Sequence, residues 1–242
     1  MSIESDFKID FSGQSKGYIF IAGPGSLFST TTTGSSLAVW KKTYKGPGRT
    51  REICCYPALP GLAAAHAKHI KAALAKADEP VRLLFSAHGL PEKVITGGDP
   101  YQRQVEATAA AVIDALGGYA DWQVCYQSRV GPMAWIGPST AEAIESACGE
   151  GLGVVICPIA FVSEHIETLV ELDHEYKELA DSLNCPDYIR VPALGVEPLF
   201  IDALADLVLA SLWREEGPAP GPGWTPDQCG PICPCRPGEI AA

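Results

Sequence analysis

Basic residues are scarce in this chain of 242 residues: 18 Lys and Arg stand against 29 Asp and Glu, for a formal net charge of −11 at pH 7. That balance excludes a protein that holds nucleic acid by neutralising phosphates, and it fits a cation or a neutral substrate. No apolar run approaches the roughly 20 residues that a membrane-spanning helix needs. The opening stretch Met1 to Gln14 lacks the basic-then-apolar order of a signal peptide. The expectation from these absences is a soluble cytoplasmic protein with no transmembrane segment and no nucleic-acid partner. Its length and apolar content allow one large or two small domains.

What is present is an alternation of strand and helix signals from Pro80 onward. Val81 to Ala87 is an apolar strand that ends at His88-Gly89-Leu90-Pro91, and Pro100 to Leu116 reads as a helix with one apolar face. Trp122 to Gln127 is the next strand, and Ser139 with Glu142 three residues on gives a capping box that opens a helix to Cys148. Gly153 to Ile159 is a continuous apolar strand of the doubly buried kind, after which Ser163 should cap a long helix to about Leu183. Tyr188 to Val191 and Pro198 to Trp213 supply a last strand and helix. Such alternation predicts an α/β fold with doubly wound, mostly parallel sheets flanked by helices.

Ahead of Pro80 the pattern is thinner. Gly17 to Ala22 and Glu52 to Tyr56 read as strands, Leu37 to Tyr44 and Pro60 to Leu74 as helices, Thr30 to Gly34 as a polar turn, and Met1 to Lys16 as a loose arm. The expected division is a truncated first Rossmann-like unit over 1–79, a similar second domain over 80–216, and a Pro/Gly/Cys-rich tail over 217–242. The alternating Pro and Gly of Gly217 to Gly223 should end the last helix outright.

Chemistry concentrates where strands end. Open α/β sheets bind ligands beyond the carboxyl ends of their strands, and His88 stands at such an end with a side chain that takes protons or metals near neutrality. Glu167, Glu171 and Glu175 recur every fourth residue and stack on one helix face, an arrangement that needs either solvent or a cation. Neighbouring carboxylates there raise one another's pKa and can pass protons or metal ions along. Gln127 to Pro138 follows a third strand and carries Met133 and Trp135 between two Gly-Pro steps. These residues suit a flat apolar wall for an aromatic ligand, with ordinary core filling as the alternative for Trp135. Among the nine cysteines, Cys125, Cys148, Cys157 and Cys185 read as small buried hydrophobes. Cys229, Cys233 and Cys235 crowd a tail with no core to fill, which makes soft-metal ligation a live option.

Several ordered stretches resemble the ferrochelatases, which insert ferrous iron into a porphyrin. They are Ser29 to Ser36, Cys54 to Pro57, Ser86-Ala87-His88-Gly89-Leu90-Pro91, Gly98-Asp99-Pro100-Tyr101, Gln127 to Met133, Pro158 to Leu169 and Glu171-Leu172-Asp173. The resemblance implies that His88 and Glu167 form the catalytic pair and that His88, Glu167, Glu171 and Glu175 handle the metal. It also implies that Ser128, Tyr101, Met133 and Trp135 line the porphyrin pocket. Fe²⁺ would be a substrate, porphyrin its acceptor, haem the product, and a second copy of the chain a candidate partner. Some members bind a [2Fe–2S] cluster through three cysteines near the C-terminus and one upstream. Here Cys229, Cys233 and Cys235 would be the three, with Cys55 or its neighbour Cys54 as the fourth, and zinc or no metal at all stays open. The family pattern also carries an opening strand, helix and lip, and the expectation from the resemblance is that this chain lacks them. Two other readings therefore accompany the first: an inactive truncated member, or a chelatase for another tetrapyrrole such as coproporphyrin or sirohydrochlorin.

Overall fold

The computed structural model describes residues 17–21, 26–46 and 48–235; the expected arm Met1 to Lys16 lies outside them. Two parallel sheets organise the chain. The first has the order β1-β2-β7, built from Gly17–Ile21, Arg49–Cys55 and Gly217–Pro220. The second has the order β4-β3-β5-β6, built from Trp122–Gln127, Val81–His88, Gly153–Pro158 and Tyr188–Arg190. All neighbouring strands in both sheets pair parallel, as the alternating pattern predicts.

In the second sheet β3 and β5 are the inner strands, and every residue of β5 is buried. That burial explains the unbroken apolar run Gly-Val-Val-Ile-Cys-Pro, since neither face of an inner strand meets water. Helices α2 (Pro60–Leu74) and α4 (Tyr101–Leu116) pack with one face of β3 and β5, where Ile70, Leu83, Phe85, Val105, Val112 and Val155 join one apolar cluster. On the other face α5 (Thr140–Gly149) and α6 (Tyr176–Ser182) close over Leu84, Val154 and Ile156. The predicted capping box at α5 is present: the Ser139 hydroxyl accepts from the Glu142 amide at 3.1 Å, and the Glu142 carboxylate accepts from the Ser139 amide at 2.7 Å. The register aligns His88 with Gln127 and Ser86 with Pro158. Strands β3, β4 and β5 therefore deliver their following residues to one edge.

The structure departs from the sequence reading in five places. The helix expected from Ser163 begins instead at Ile166, and Thr168–Glu175 is wound as a π-helix before α6 continues it. Thr30–Gly34 is likewise a π-helical turn, capped by Ser29 and running into α1 (Ser35–Thr43). A short helix, α3 (Glu92–Thr96), fills the gap before Gly98. The last helix, α7 (Pro198–Ser211), ends ahead of the Pro/Gly run, which therefore does not stop it; Gly217–Pro220 instead adds to the first sheet as β7. Proline is tolerated there because β7 lies at the sheet edge, where an unpaired face asks for no donor. Finally, Cys148 and Cys185 are not separate buried hydrophobes but a disulfide joining the end of α5 to the turn before β6.

Candidate active site

His88 is the last residue of β3, and its ring leaves the sheet at the edge where β4 and β5 also end. Nδ1 lies 2.7 Å from the Gly89 carbonyl oxygen, which can only accept, so Nδ1 carries the proton in the neutral ring. The Nε2 lone pair is then free, and it faces Glu167, whose Oε2 is 3.7 Å away. That separation is too long for a hydrogen bond and short enough for an ion pair once Nε2 gains a proton. Both side chains are partly open to solvent.

A buried polar relay reaches the backbone of Glu167. The Ser86 hydroxyl donates to Gln127 Oε1 at 2.8 Å and lies 3.0 Å from the Thr140 hydroxyl, and Gln127 Nε2 donates to the Glu167 carbonyl at 3.4 Å. Ser86, Gln127 and Thr140 are fully buried. Buried polar groups persist only when partnered, so a serine in the middle of Leu-Leu-Phe-Ser-Ala-His was the available signal for a relay that sequence reasoning missed.

Glu167, Glu171 and Glu175 line one groove of about 420 Å³, together with Ser128, Arg129 and Tyr176. The segment that carries Glu171 and Glu175 is π-helical, its bonds closing from residue i+5 to i, as in Tyr176 N–H to the Glu171 carbonyl. The three carboxylates are not equivalent. Glu171 accepts from both the amide and the hydroxyl of Ser128, at 3.0 and 2.6 Å, so it anchors the loop after β4. Ser128 adopts a left-handed backbone, φ 60°, to present both donors at once. Tyr176, also unforeseen, has its phenol pushed above the ordinary value by burial and by the neighbouring Glu171 charge.

The expected pocket walls fall differently. Tyr101 is buried behind His88, with its phenol against the His88 backbone and raised above its ordinary value chiefly by that burial. Trp135 stands over Gly89: a Cβ added to that glycine would meet Trp135 Cε3 at 3.4 Å and the Gln127 carbonyl at 2.9 Å. The Trp135 indole N–H is buried without a hydrogen-bond partner among the described residues. Met133 is exposed, and neither it nor Trp135 borders the acidic groove. Asp99, buried beside Tyr101, accepts from the Thr30 amide and hydroxyl at 2.8 and 2.7 Å and from the Tyr101 amide at 2.9 Å, tying the front of the chain to α4.

The tail forms a second centre. Cys229, Cys233 and Cys235 pack in one buried cluster with Cys54, Cys55, Phe28 and Leu37. The sulfurs of Cys54, Cys233 and Cys235 lie within 4.8 Å of one another, with Cys233 4.0 Å from Cys54 and 3.2 Å from Cys235. Cys55 Sγ is 3.7 Å from Cys54 Sγ. Thiols donated by Cys233, Cys235 and Cys54 hold Cys229 below the ordinary thiol value. The donor set suits a soft metal or an iron–sulfur centre.

Parallel sheets with a base and an acidic face at their carboxyl edge define an α/β protein of the chelatase-like class. The structure titled "SirB from Bacillus subtilis with Fe3+" shares this fold, with a TM-score of 0.51 over 81% of this chain and 72% of that one at 11% sequence identity. Residues 18–212 match the family model described as Ferrochelatase, and the chain belongs to the ferrochelatase family. The relative named Ferrochelatase in Caulobacter vibrioides (strain NA1000 / CB15N) is 58% identical over 220 residues, covering 88% of this chain. Those of Phenylobacterium zucineum and Hyphomonas neptunium are 53% and 54% identical over 88% and 78% of it. The chain spans 62%, 63% and 53% of the length of these three relatives. Among the described residues no helix is long and apolar enough to cross a membrane.

Proposed function

We propose that this chain carries the metal-insertion centre of a ferrochelatase, acting on porphyrin plus Fe²⁺ to give haem plus two protons. The observation that carries the reading is the free Nε2 of His88 facing Glu167 across 3.7 Å at the head of an acidic groove. Two pyrrole N–H protons must leave as the metal enters, so a base must face the ring. His88 accepts a proton at Nε2 and Glu167 stabilises the resulting charge. The carboxylates of Glu167 and Glu175 offer hard oxygen ligands to the incoming cation, while Glu171 shares its charge with Ser128. Trp135 and Met133, which stand outside the acidic groove, are the proposed apolar walls for the ring, with Tyr101 buried behind His88.

Cys54, Cys229, Cys233 and Cys235 would hold a [2Fe–2S] cluster, with Cys55 the alternate to Cys54. Bound there, the cluster would contribute four thiolate bonds that staple the tail to β2. A cytoplasmic setting is part of the proposal: the free tail and β2 thiols suit a reducing compartment, in which the Cys148–Cys185 disulfide is the exception. The partners proposed are porphyrin, ferrous iron and a second copy of the chain, for which the exposed Leu209 and Trp213 of the last helix and its end offer apolar surface.

An anaerobic assay with Fe²⁺ or Zn²⁺ and a dicarboxylic porphyrin tests the reading. His88→Ala and Glu167→Ala should each abolish insertion with the far-UV spectrum unchanged; wild-type rates in either variant would remove the assignment. Porphyrin binding without metal insertion by the unmodified chain would also overturn it.

A further inference from the structure

The short strand β6 lies at the sheet edge, and its polar side chains reach toward the π-helical segment. The Tyr188 hydroxyl donates to the Leu172 carbonyl at 2.7 Å. Arg190 donates from Nε to Asp173 within the π-helical segment, and its Nη1 lies 2.9 and 3.1 Å from the two oxygens of Glu164, ahead of the segment. Glu164 accepts further bonds from the Ala193 amide at 3.0 Å and the Thr168 hydroxyl at 2.9 Å. Burial works against the Glu164 charge, yet Arg190, the Ala193 amide and Thr168 hold its carboxyl below the usual range. The Arg190 side chain is 17% exposed, while Glu164 and Asp173 are each about a third open to solvent, so the clamp is sheltered on the arginine side only.

We propose that Arg190 is a positioning residue for the acidic face. A π-helical stretch competes with the ordinary α-helical bonding register. A segment with two registers open to it needs an outside reference to choose one. The planar guanidinium, with separate edges on Glu164 and Asp173, provides that reference in a way a lysine ammonium cannot. It sets where the segment starts and how it is rotated, and so how Glu167 approaches His88 and stacks with Glu171 and Glu175. This inference rests on the reading of the groove as a cation site.

Two readouts on the full chain test it: hydrogen exchange over 166–176, and binding of Co²⁺ alone followed by its visible absorption, the latter in a Cys233→Ser, Cys235→Ser background that removes the tail thiolates as a competing Co²⁺ site. Arg190→Ala should speed exchange in that segment relative to the rest of the chain and weaken Co²⁺ binding about tenfold, the usual loss when a group behind a metal ligand is removed. Arg190→Lys should recover part of both. Unchanged Co²⁺ affinity in Arg190→Ala, with or without faster exchange, would overturn the proposal, because the arginine would then serve stability alone. If Arg190→Ala does not fold, Glu164→Gln and Asp173→Asn each cut one arm of the clamp and carry the same expectation. Failure of the groove reading has its own signature: Co²⁺ binding by the wild type that Glu167→Gln leaves unchanged.

Discussion

His66 on α2 is fully buried, with Nδ1 3.6 Å from Cys157 Sγ of β5 and Nε2 without a hydrogen-bond partner among the described residues. Burial, with a smaller push from His69, lowers its pKa from 6.5 to about 3. The unfolded chain therefore takes up a proton below pH 6.5 that the folded chain refuses until about pH 3. Stability from this group is complete above the unfolded value and is lost as pH falls across that window. The slope is about 1.4 kcal/mol per pH unit, so acidification from about pH 6.5 to about pH 4.5 removes about 3 kcal/mol. That is a large share of the roughly 5–15 kcal/mol that keeps a typical domain folded. Urea unfolding of wild type and His66→Leu at about pH 7 and about pH 4.5 isolates the effect, since the carboxylates titrate alike in both chains. The wild type should lose about 3 kcal/mol more than the variant on acidification. Equal losses would show that His66 is not held neutral, and the packing of α2 on β5 would need another description.

Two further predictions concern the site loop and the tail. Ser128→Ala deletes the 2.6 Å bond to Glu171 while keeping the left-handed backbone, whereas Ser128→Gly deletes the bond and relieves the backbone. The alanine variant should be less stable than the glycine variant by about 1 kcal/mol in thermal or urea unfolding, and a reversed order would refute the latch geometry. If Cys54 is the fourth cluster ligand, anaerobically purified Cys54→Ala should lose the visible charge-transfer bands and iron content, while Cys55→Ala keeps them. The opposite pattern would make Cys55 the ligand.

Much of the second sheet was legible in the sequence because its inner strands are apolar runs closed by Gly and Pro, and because α5 announces itself with Ser139 and Glu142. His88 and the four-residue spacing of the glutamates were legible for the same reason, since strand ends and helical periods fix where such side chains point. The helix start at Ile166 was not, because Ser163 satisfies the local rule for a cap while the segment is organised by contacts from β6 that are distant in sequence. The π-helical winding of Thr168–Glu175 likewise leaves no mark in an apolar pattern whose period it shifts by less than one residue per turn. Gly217–Pro220 reads as a breaker, and its place as an edge strand depends on the open side of β2. The pairing of Cys148 with Cys185 across 37 residues, and the meeting of Cys54 with Cys233 and Cys235, follow from the folded chain and not from local spacing.

The central claim is that His88 and Glu167 act as one unit on one proton and one cation. A double-mutant cycle on metal-insertion rate tests it, with His88→Ala, Glu167→Gln and the pair measured against wild type in the same anaerobic porphyrin assay. The account predicts strong non-additivity, the double variant scarcely slower than either single one, as for groups that work together. Rate losses that multiply independently would contradict it.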